Sequence, residues 1–119
     1  MDTKSKGRWG EDAALDHLEN AGYELIERNF HTRYGEIDLI MKIGTLVVFV
    51  EVKLRRHGNF ASALEYVNRS KQMKLRKTAE LWLQKTRCAL QPRLDVIEVY
   101  TDLDSGNEEI RINHLENAF

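Results

Sequence analysis

A strongly apolar segment that follows a two-residue turn limits the folds that this chain can adopt. Residues Leu46–Leu54 are dense in Val and Phe, which is typical of a central β-strand. The segment Glu36–Lys42 also has strand character, and Gly44-Thr45 lies between the two segments. A glycine at the first central position suits a type II′ turn, which pairs Ile43 with Leu46. The sequence therefore predicts a β-hairpin with a defined register.

Counting outward from this turn brings four charged side chains together. Asp38 falls opposite Glu51, and Glu36 falls opposite Lys53. Directly paired residues of an antiparallel hairpin point to the same side of the sheet, so we expect all four groups on one face. A bulge or a longer turn would shift this register.

Two facing carboxylates beside an apolar strand are costly unless something compensates their charge. They repel each other, and desolvation adds to the cost. A shared proton, a lysine or a divalent cation would compensate, and oxygen-only ligands suit Mg²⁺ or Mn²⁺ rather than zinc. One interpretation is a metal site in which Asp38 and Glu51 hold the cation and Lys53 stabilises charge on a phosphate. The other is a surface salt-bridge cluster, with Lys53 neutralising Glu36 or Glu51.

The segments around the hairpin predict an α/β fold, with a single domain over residues 1–119. The predicted order is helix, three strands, helix, strand, strand. This order favours a mixed sheet with helices packed on it, in which the second helix is a crossover connection. The predicted elements are a helix from Lys6–Arg8 to Gly22, a strand Tyr23–Asn29, a turn-like segment His31–Gly35, the hairpin, a loop Arg56–Phe60, a helix from about Ser62 to Lys85 with a candidate break at Asn68–Ser70, a strand Arg93–Tyr100 that begins after Pro92, a turn Asp104–Asn107 and a strand Glu109–His114.

Glu11 adds a third acid from a different element. The positions three, four and seven residues later on the same helix face are apolar, namely Ala14, Leu15 and Leu18. An acid in line with this stripe should point toward the sheet, where its carboxylate can supply a third oxygen ligand. The alternative is an acid of the first helical turns that is favoured by the helix dipole and faces water.

Short motifs are spread along nearly the whole chain: Gly7-x-x-Gly10-Glu11, Arg28-Asn29, Gly35-Glu36-Ile37-Asp38-Leu39-Ile40, Val48-Phe49-Val50-Glu51-Val52-Lys53-x-Arg55, Arg93-x-Asp95-Val96 and Asn117-Ala118-Phe119. Together they resemble the YraN family of small bacterial proteins, which is similar to the PD-(D/E)XK nucleases and close in fold to archaeal Holliday-junction resolvases. The chain departs from the family pattern at His31 and Ala61.

The resemblance implies both a fold and an activity. The fold is a restriction-endonuclease-like mixed sheet in the order helix, three strands, helix, strand. The activity is Mg²⁺- or Mn²⁺-dependent cleavage of DNA, with branched or structured DNA as the expected substrate class, by a homodimer. Glu11, Asp38 and Glu51 would ligate the metal, and Lys53 would be catalytic.

The net charge of the chain gives no evidence for nucleic-acid binding, so a nucleic-acid site must be argued from where the positive charges lie. The chain has 18 Lys and Arg against 19 Asp and Glu, a net charge of -1. Lys71, Lys74 and Lys77 follow at steps of three residues in a stretch without acids, so they share one helix face. The predicted phosphate-binding residues are Arg55, Arg56, Lys71, Gln72, Lys74 and Lys77. The alternative is an ordinary solvated helix face.

Other residues have open roles. Tyr34 and Phe60 flank the hairpin and would either stack on bases or pack at its rim. Asp95 would either orient Lys53 or Arg55 or form a salt bridge. We assign no catalytic role to the scattered histidines, which are His17, His31, His57 and His114.

Three classes of function follow, all with an expected cytoplasmic location and no membrane. Cys88 is the one cysteine, no zinc-ligand spacing occurs, and the longest apolar run, Leu46–Val50, is too short to cross a bilayer. The first hypothesis is a Mg²⁺-dependent DNA endonuclease. The second is a nucleic-acid-binding module that does not cleave. The third is a protein-interaction domain, which the balanced charge leaves open.

Overall fold

In the computed structural model, residues 3–56, 68–101 and 110–119 are described, and they form a five-stranded sheet with two helices. The predicted α/β class and the order of the elements are confirmed. The elements are α1 (Thr3–Asn20), β1 (Glu24–Thr32), β2 (Gly35–Ile43), β3 (Leu46–Arg56), α2 (Arg69–Thr86), β4 (Gln91–Thr101) and β5 (Ile110–Leu115).

The first three strands form an antiparallel meander around the predicted turn. Ile43 pairs with Leu46, and Gly44 has a φ of +55°, a backbone conformation that glycine adopts without steric cost. The two-residue hairpin is thus confirmed, and the pairs from the turn to Leu39 and Val50 are those expected from the count, but the ladder does not continue to the predicted pairs of Asp38 with Glu51 and of Glu36 with Lys53.

The second helix is the crossover that the sequence predicted. It leads from β3 to β4, which run parallel from the pair Leu46 and Gln91 to the pair Arg56 and Thr101. β5 then pairs with β4 in the antiparallel sense, and the strand order in the sheet is the same as in the chain. The sheet is therefore mixed, because a parallel pair lies between antiparallel ones.

Each helix packs on its own apolar cluster. The α1 stripe is confirmed at Ala14 and Leu18, which have no exposed surface, while Leu15 lies at the margin. The cluster on α2 includes the ring of Trp82, which meets Phe49 edge-on at 5.6 Å between ring centroids. The buried residues around α1 are Tyr23, Leu39, Met41, Val48, Val50, Ile97 and Val99, and those around α2 are Ile37, Ile40, Val47, Phe49, Leu75 and Ala79.

Both helices have recognisable ends. After α1 the N–H of Tyr23 donates to the carbonyl of Leu18 and that of Gly22 to the carbonyl of Glu19, which is a Schellman motif with Gly22 at φ +94°. At the start of α2 the Asn68 side chain accepts a hydrogen bond from the N–H of Lys71. Neither described helix is long and apolar enough to cross a membrane.

Several boundaries differ from the predicted ones. β1 continues to Thr32, which pairs with Gly35, so the turn is the dipeptide Arg33-Tyr34 rather than the longer segment 31–35. α1 begins earlier, at Thr3, and β4 begins at Gln91 and includes Pro92, because a proline near a strand start removes little of the ladder. Arg56 is the last residue of β3 rather than part of a loop. The predicted features at 57–60, 62–67 and 104–107 lie outside the described residues.

Candidate active site

The β2–β3 hairpin opens at the point where the sequence placed its acidic pair. The ladder runs from Ile43 and Leu46 to Leu39 and Val50 and ends there. The next step of the same register would pair Asp38 with Glu51. Instead, the Asp38 carboxylate accepts a hydrogen bond from the backbone N–H of Val52, with 2.7 Å between Oδ2 and N. The strands therefore part at the acidic pair, and a side chain replaces the backbone bond.

The environment of Asp38 opposes its negative charge. Its pKa rises from 3.8 to about 8, first because the carboxyl group is buried and second because Glu51 is close. The charges of Glu11 and Glu36 raise this pKa further, while the bond from Val52 lowers it. In the absence of a compensating cation, Asp38 therefore holds a proton at neutral pH.

Lys53 lies beside the acidic pair and contacts a second lysine. Its Nζ is 3.1 Å from Glu51 Oε1. Burial lowers the pKa of Lys53, but the hydrogen bond with Lys71 and the charge of Glu51 outweigh burial, so that this pKa lies above its usual value. The same hydrogen bond, followed by burial and by the charge of Lys53, lowers the pKa of Lys71. Lys53 donates in this hydrogen bond and Lys71 accepts through its neutral amine, so Lys53 holds its proton more firmly than Lys71.

An open cleft of about 490 Å³ lies between the hairpin and α2, and we call it the carboxylate cleft. The acids Asp38 and Glu51 lie on its strand side, and Lys71 and Lys74 lie on its helix side. Other described residues that line it are Tyr34, Gly35, Glu36, Asn68, Ser70 and Leu75. Carboxylates and cations therefore face the same open space.

Glu11 lies next to this cleft but is not among the described residues that line it. Its side chain is mostly buried, at 16% exposed, so the prediction that it points inward from α1 is confirmed. Its Oε1 accepts a hydrogen bond from Asn29 Nδ2 at 2.7 Å, and Arg28 Nη2 is 3.8 Å from the same oxygen. The charge of Glu11 reaches Asp38, since it contributes to the raised pKa of that group.

The donor atoms of the cleft fit a hard divalent cation, although no preformed cage is present. Within residues 3–56, 68–101 and 110–119, no group of three acidic, His or Cys side chains is arranged to hold a metal ion. Mg²⁺ is usually bound through one or two carboxylates and keeps several waters, so it does not need such a group. Asp38 and Glu51 supply two carboxylates, and a cation bound to them would favour the charged form of Asp38, which burial and Glu51 disfavour.

The predicted phosphate-binding residues separate into two groups. Lys71 and Lys74 line the carboxylate cleft. Lys74 and Lys77 together line a second, open pocket on α2. Gln72 is partly buried and is not among the described lining residues of the cleft. Arg55 is only 8% exposed, and its Nε is 3.5 Å from Glu98 Oε2. The structure does not bring Arg55 to the surface of the cleft, and the Arg56 side chain lies outside the described part of the chain.

Of the roles considered for Asp95, its contacts support the salt bridge, which it forms with Arg93. Asp95 is fully buried on β4 opposite Val50, and its carboxylate is bonded to Arg93, to His114 and to the N–H of Asn117 at 2.7 to 3.0 Å. It therefore orients neither Lys53 nor Arg55 but ties the C-terminal residues to the sheet. Burial alone would raise the pKa of Asp95, but these hydrogen bonds lower it.

Comparison with known proteins assigns most of the chain to the family that its motifs resemble. Residues 10–99 match the model of the family described as "Uncharacterised protein family UPF0102". The chain belongs to this family. UPF0102 is the YraN family that the motifs resemble, and residues 10–99 include all four candidate catalytic and metal-binding residues.

Individual UPF0102 proteins are similar to the chain from end to end. It is 39% identical to a UPF0102 protein of Caldicellulosiruptor saccharolyticus over 100% of both chains. It is 42% identical to one of Syntrophomonas wolfei, over 95% of this chain and 96% of the other, and 43% identical to one of Stutzerimonas stutzeri, over 99% and 97%.

Asn29 is a site residue of this UPF0102 member to which the sequence gave no role. The sequence offered it only as part of the Arg28-Asn29 motif. Its side chain contacts Glu11 and Glu36, and its backbone has a φ of +53°. Strand periodicity carries no signal for these contacts, because the two partners of Asn29 lie on other elements, Glu11 on α1 and Glu36 on β2.

Proposed function

We propose that the chain hydrolyses phosphodiester bonds of DNA with the help of Mg²⁺ or Mn²⁺. The observation that carries the proposal is the Asp38–Glu51 pair at the point where the strands part, next to Lys53 and in an open cleft lined by further lysines. A structural salt bridge would neutralise its acids. Here Lys53 pairs with Glu51, but burial and the charge of Glu51 raise the pKa of Asp38 to about 8, and a bound cation would counteract that shift.

Each residue has a separate task in this reaction. Asp38 and Glu51 would hold the cation, with Glu11 close by. The bound cation would supply Lewis-acid activation of the phosphate and of water. Lys53 holds its proton beside Glu51 and can donate hydrogen bonds to the phosphate oxygens as their charge grows. Lys71 and Lys74 bind neighbouring phosphates and orient the backbone in the cleft.

Cleavage assays on matched variants test this proposal. We expect nicking of branched, single-stranded or duplex DNA with Mg²⁺ or Mn²⁺ and none with EDTA. Asp38→Asn and Glu51→Gln should each reduce the rate about a hundredfold or more, with unchanged circular dichroism. Glu19→Gln removes an exposed acid of α1 and should leave the rate unchanged. Activity that survives in both cleft variants, or no activity on any of these substrates, would contradict the proposal.

A second candidate function is nucleic-acid binding without cleavage. It is favoured by the absence, among the described residues, of a group of three side chains arranged around a metal. The two candidates differ in metal binding. Calorimetric titration that detects no Mn²⁺ site, together with DNA affinity that falls steeply with salt, would favour the non-cleaving module.

A further inference from the structure

Asn29 lies within β1 at the level of Asp38, at a position that the β1–β2 ladder skips. It lies between the pairs Arg28–Leu39 and Phe30–Ile37, and the shared register places it opposite Asp38. Its φ of +53° lies in the left-handed region, which a residue other than glycine adopts at a cost. Asparagine tolerates this region better than most residues, and the hydrogen bonds of its side chain offset the conformational cost.

The Asn29 amide joins two carboxylates from different elements. Nδ2 donates to Glu11 Oε1 at 2.7 Å and to Glu36 Oε1 at 3.2 Å. One amide nitrogen carries two N–H groups, so both are used by acids. Glu11 comes from α1, on one face of the sheet, while Glu36 lines the carboxylate cleft on the side of α2. The amide thus links an acid of α1 to an acid of β2, next to Asp38.

The neutrality of this bridge has an electrostatic consequence. An amide holds two carboxylates together without removing their negative charge, whereas an arginine or a lysine in its place would neutralise one of them. Arg28 is shared unequally between two acids, because its Nη2 is 2.7 Å from Asp12 Oδ1 and 3.8 Å from Glu11 Oε1. Arg28 therefore neutralises Glu11 less than it neutralises Asp12.

We infer that Asn29 is a positioning residue, which holds Glu11 and Glu36 together next to Asp38 and so strengthens the binding of a divalent cation. This inference rests on the proposed function. It assigns to Asn29 two linked features, a strained backbone and a neutral bridging amide, and these can be separated by substitution.

Two variants of Asn29 separate the amide from the backbone. Asn29→Gly removes the amide and adopts a positive φ freely, while Asn29→Ala removes the amide and keeps the backbone strain. Mn²⁺ affinity is measured by electron paramagnetic resonance on the full chain, and thermal unfolding with EDTA is measured in parallel. We expect Asn29→Gly to bind Mn²⁺ about 10- to 100-fold more weakly, the range for residues that orient metal ligands, and to unfold near the parent temperature. Asn29→Ala should lose as much affinity and unfold at a lower temperature.

The outcomes distinguish the inference from the proposed function. If Asn29→Gly binds Mn²⁺ as tightly as the parent, the amide has no positioning role and the inference is overturned while the proposed function stands. If only Asn29→Ala loses affinity, the residue acts through its backbone, and the inference is likewise overturned. A parent protein that binds no Mn²⁺ overturns both.

A variant of a neighbouring residue tests the electrostatic part of the inference. Asp12→Asn removes the acid that Arg28 contacts most closely, so Arg28 can move nearer to Glu11 than its present 3.8 Å. We expect weaker Mn²⁺ binding by a factor smaller than that for Asn29→Gly, because the bridge itself stays. Unchanged or tighter binding would contradict the assigned role of the neutral bridge.

Discussion

Asp38 combines a backbone role with an electrostatic one. Its carboxylate closes the gap at the end of the β2–β3 ladder by accepting the N–H of Val52, and the same position exposes it to the charges of Glu51, Glu11 and Glu36. The bond from Val52 favours the charged form, whereas burial and the three acids favour the neutral form. The second influence is larger, so that the pKa is raised.

This pKa makes a prediction about stability and pH. The folded protein binds the proton of Asp38 more tightly than the unfolded chain, because its pKa is about 8 in one and about 3.8 in the other. The free energy of unfolding contributed by this group should therefore fall as the pH rises from about 4 to about 8, by at most about 1.4 kcal/mol per pH unit, and level off above. Asp38→Asn keeps an oxygen for Val52 but does not titrate.

Urea unfolding between pH 5 and 8 with EDTA checks this prediction. The stability of the parent should decrease relative to that of Asp38→Asn across the range. Glu19→Gln is the control, since it removes an exposed acid of α1, and its curve should follow the parent. Parallel curves for the parent and Asp38→Asn would show that the carboxyl group is not held neutral.

At the scale of the elements, local sequence was enough where backbone geometry decides the outcome. Gly44-Thr45 allowed a two-residue turn, and period-two counting then placed Asp38 and Glu51 at neighbouring positions. The count could not foresee that the ladder ends at Leu39 and Val50, because that depends on a side chain replacing a backbone acceptor.

Residues whose partners are distant in sequence were predicted less well. Arg55 was expected at a phosphate and is buried beside Glu98, and the sequence left open whether Asp95 orients Lys53 or forms a salt bridge, whereas it binds His114. Both partners belong to β4 or β5, which come later in the chain. Periodicity assigns a residue to a face of a strand, but it does not identify the side chain that it meets there.

The first turn of α2 offers a prediction about an element. The Asn68 side chain accepts the N–H of Lys71 at 2.9 Å, and this turn carries the lysine that reaches Lys53. Asn68→Ala should lower the free energy of unfolding by about 1 kcal/mol, since it leaves that N–H without its cap. Asn68→Ser keeps a capping oxygen and should lose much less. Urea unfolding of both variants measures the difference, and equal losses would mean that the cap contributes little.

The whole molecule is nearly neutral, but its charges are not evenly placed. The net charge is -1, while Lys71 and Lys74 lie together on the cleft side of α2. Lys42 near the end of β2 and Lys85 in the last turn of α2 lie toward the other end of these elements. If DNA binds at the carboxylate cleft, affinity must depend on where a charge is removed rather than on the net charge.

Two double variants with the same net charge test that dependence. Lys71→Gln with Lys74→Gln should weaken DNA binding and lower the slope of log affinity against log salt by about 1.4 to 1.8, because about 0.7 to 0.9 is lost for each of two phosphate contacts. Lys42→Gln with Lys85→Gln makes the same change in net charge away from the cleft and should alter neither quantity. Fluorescence anisotropy with labelled DNA at several KCl concentrations gives both. Equal losses in the two variants would indicate long-range attraction without a defined site, and no loss in either would exclude DNA from this cleft and favour a protein partner.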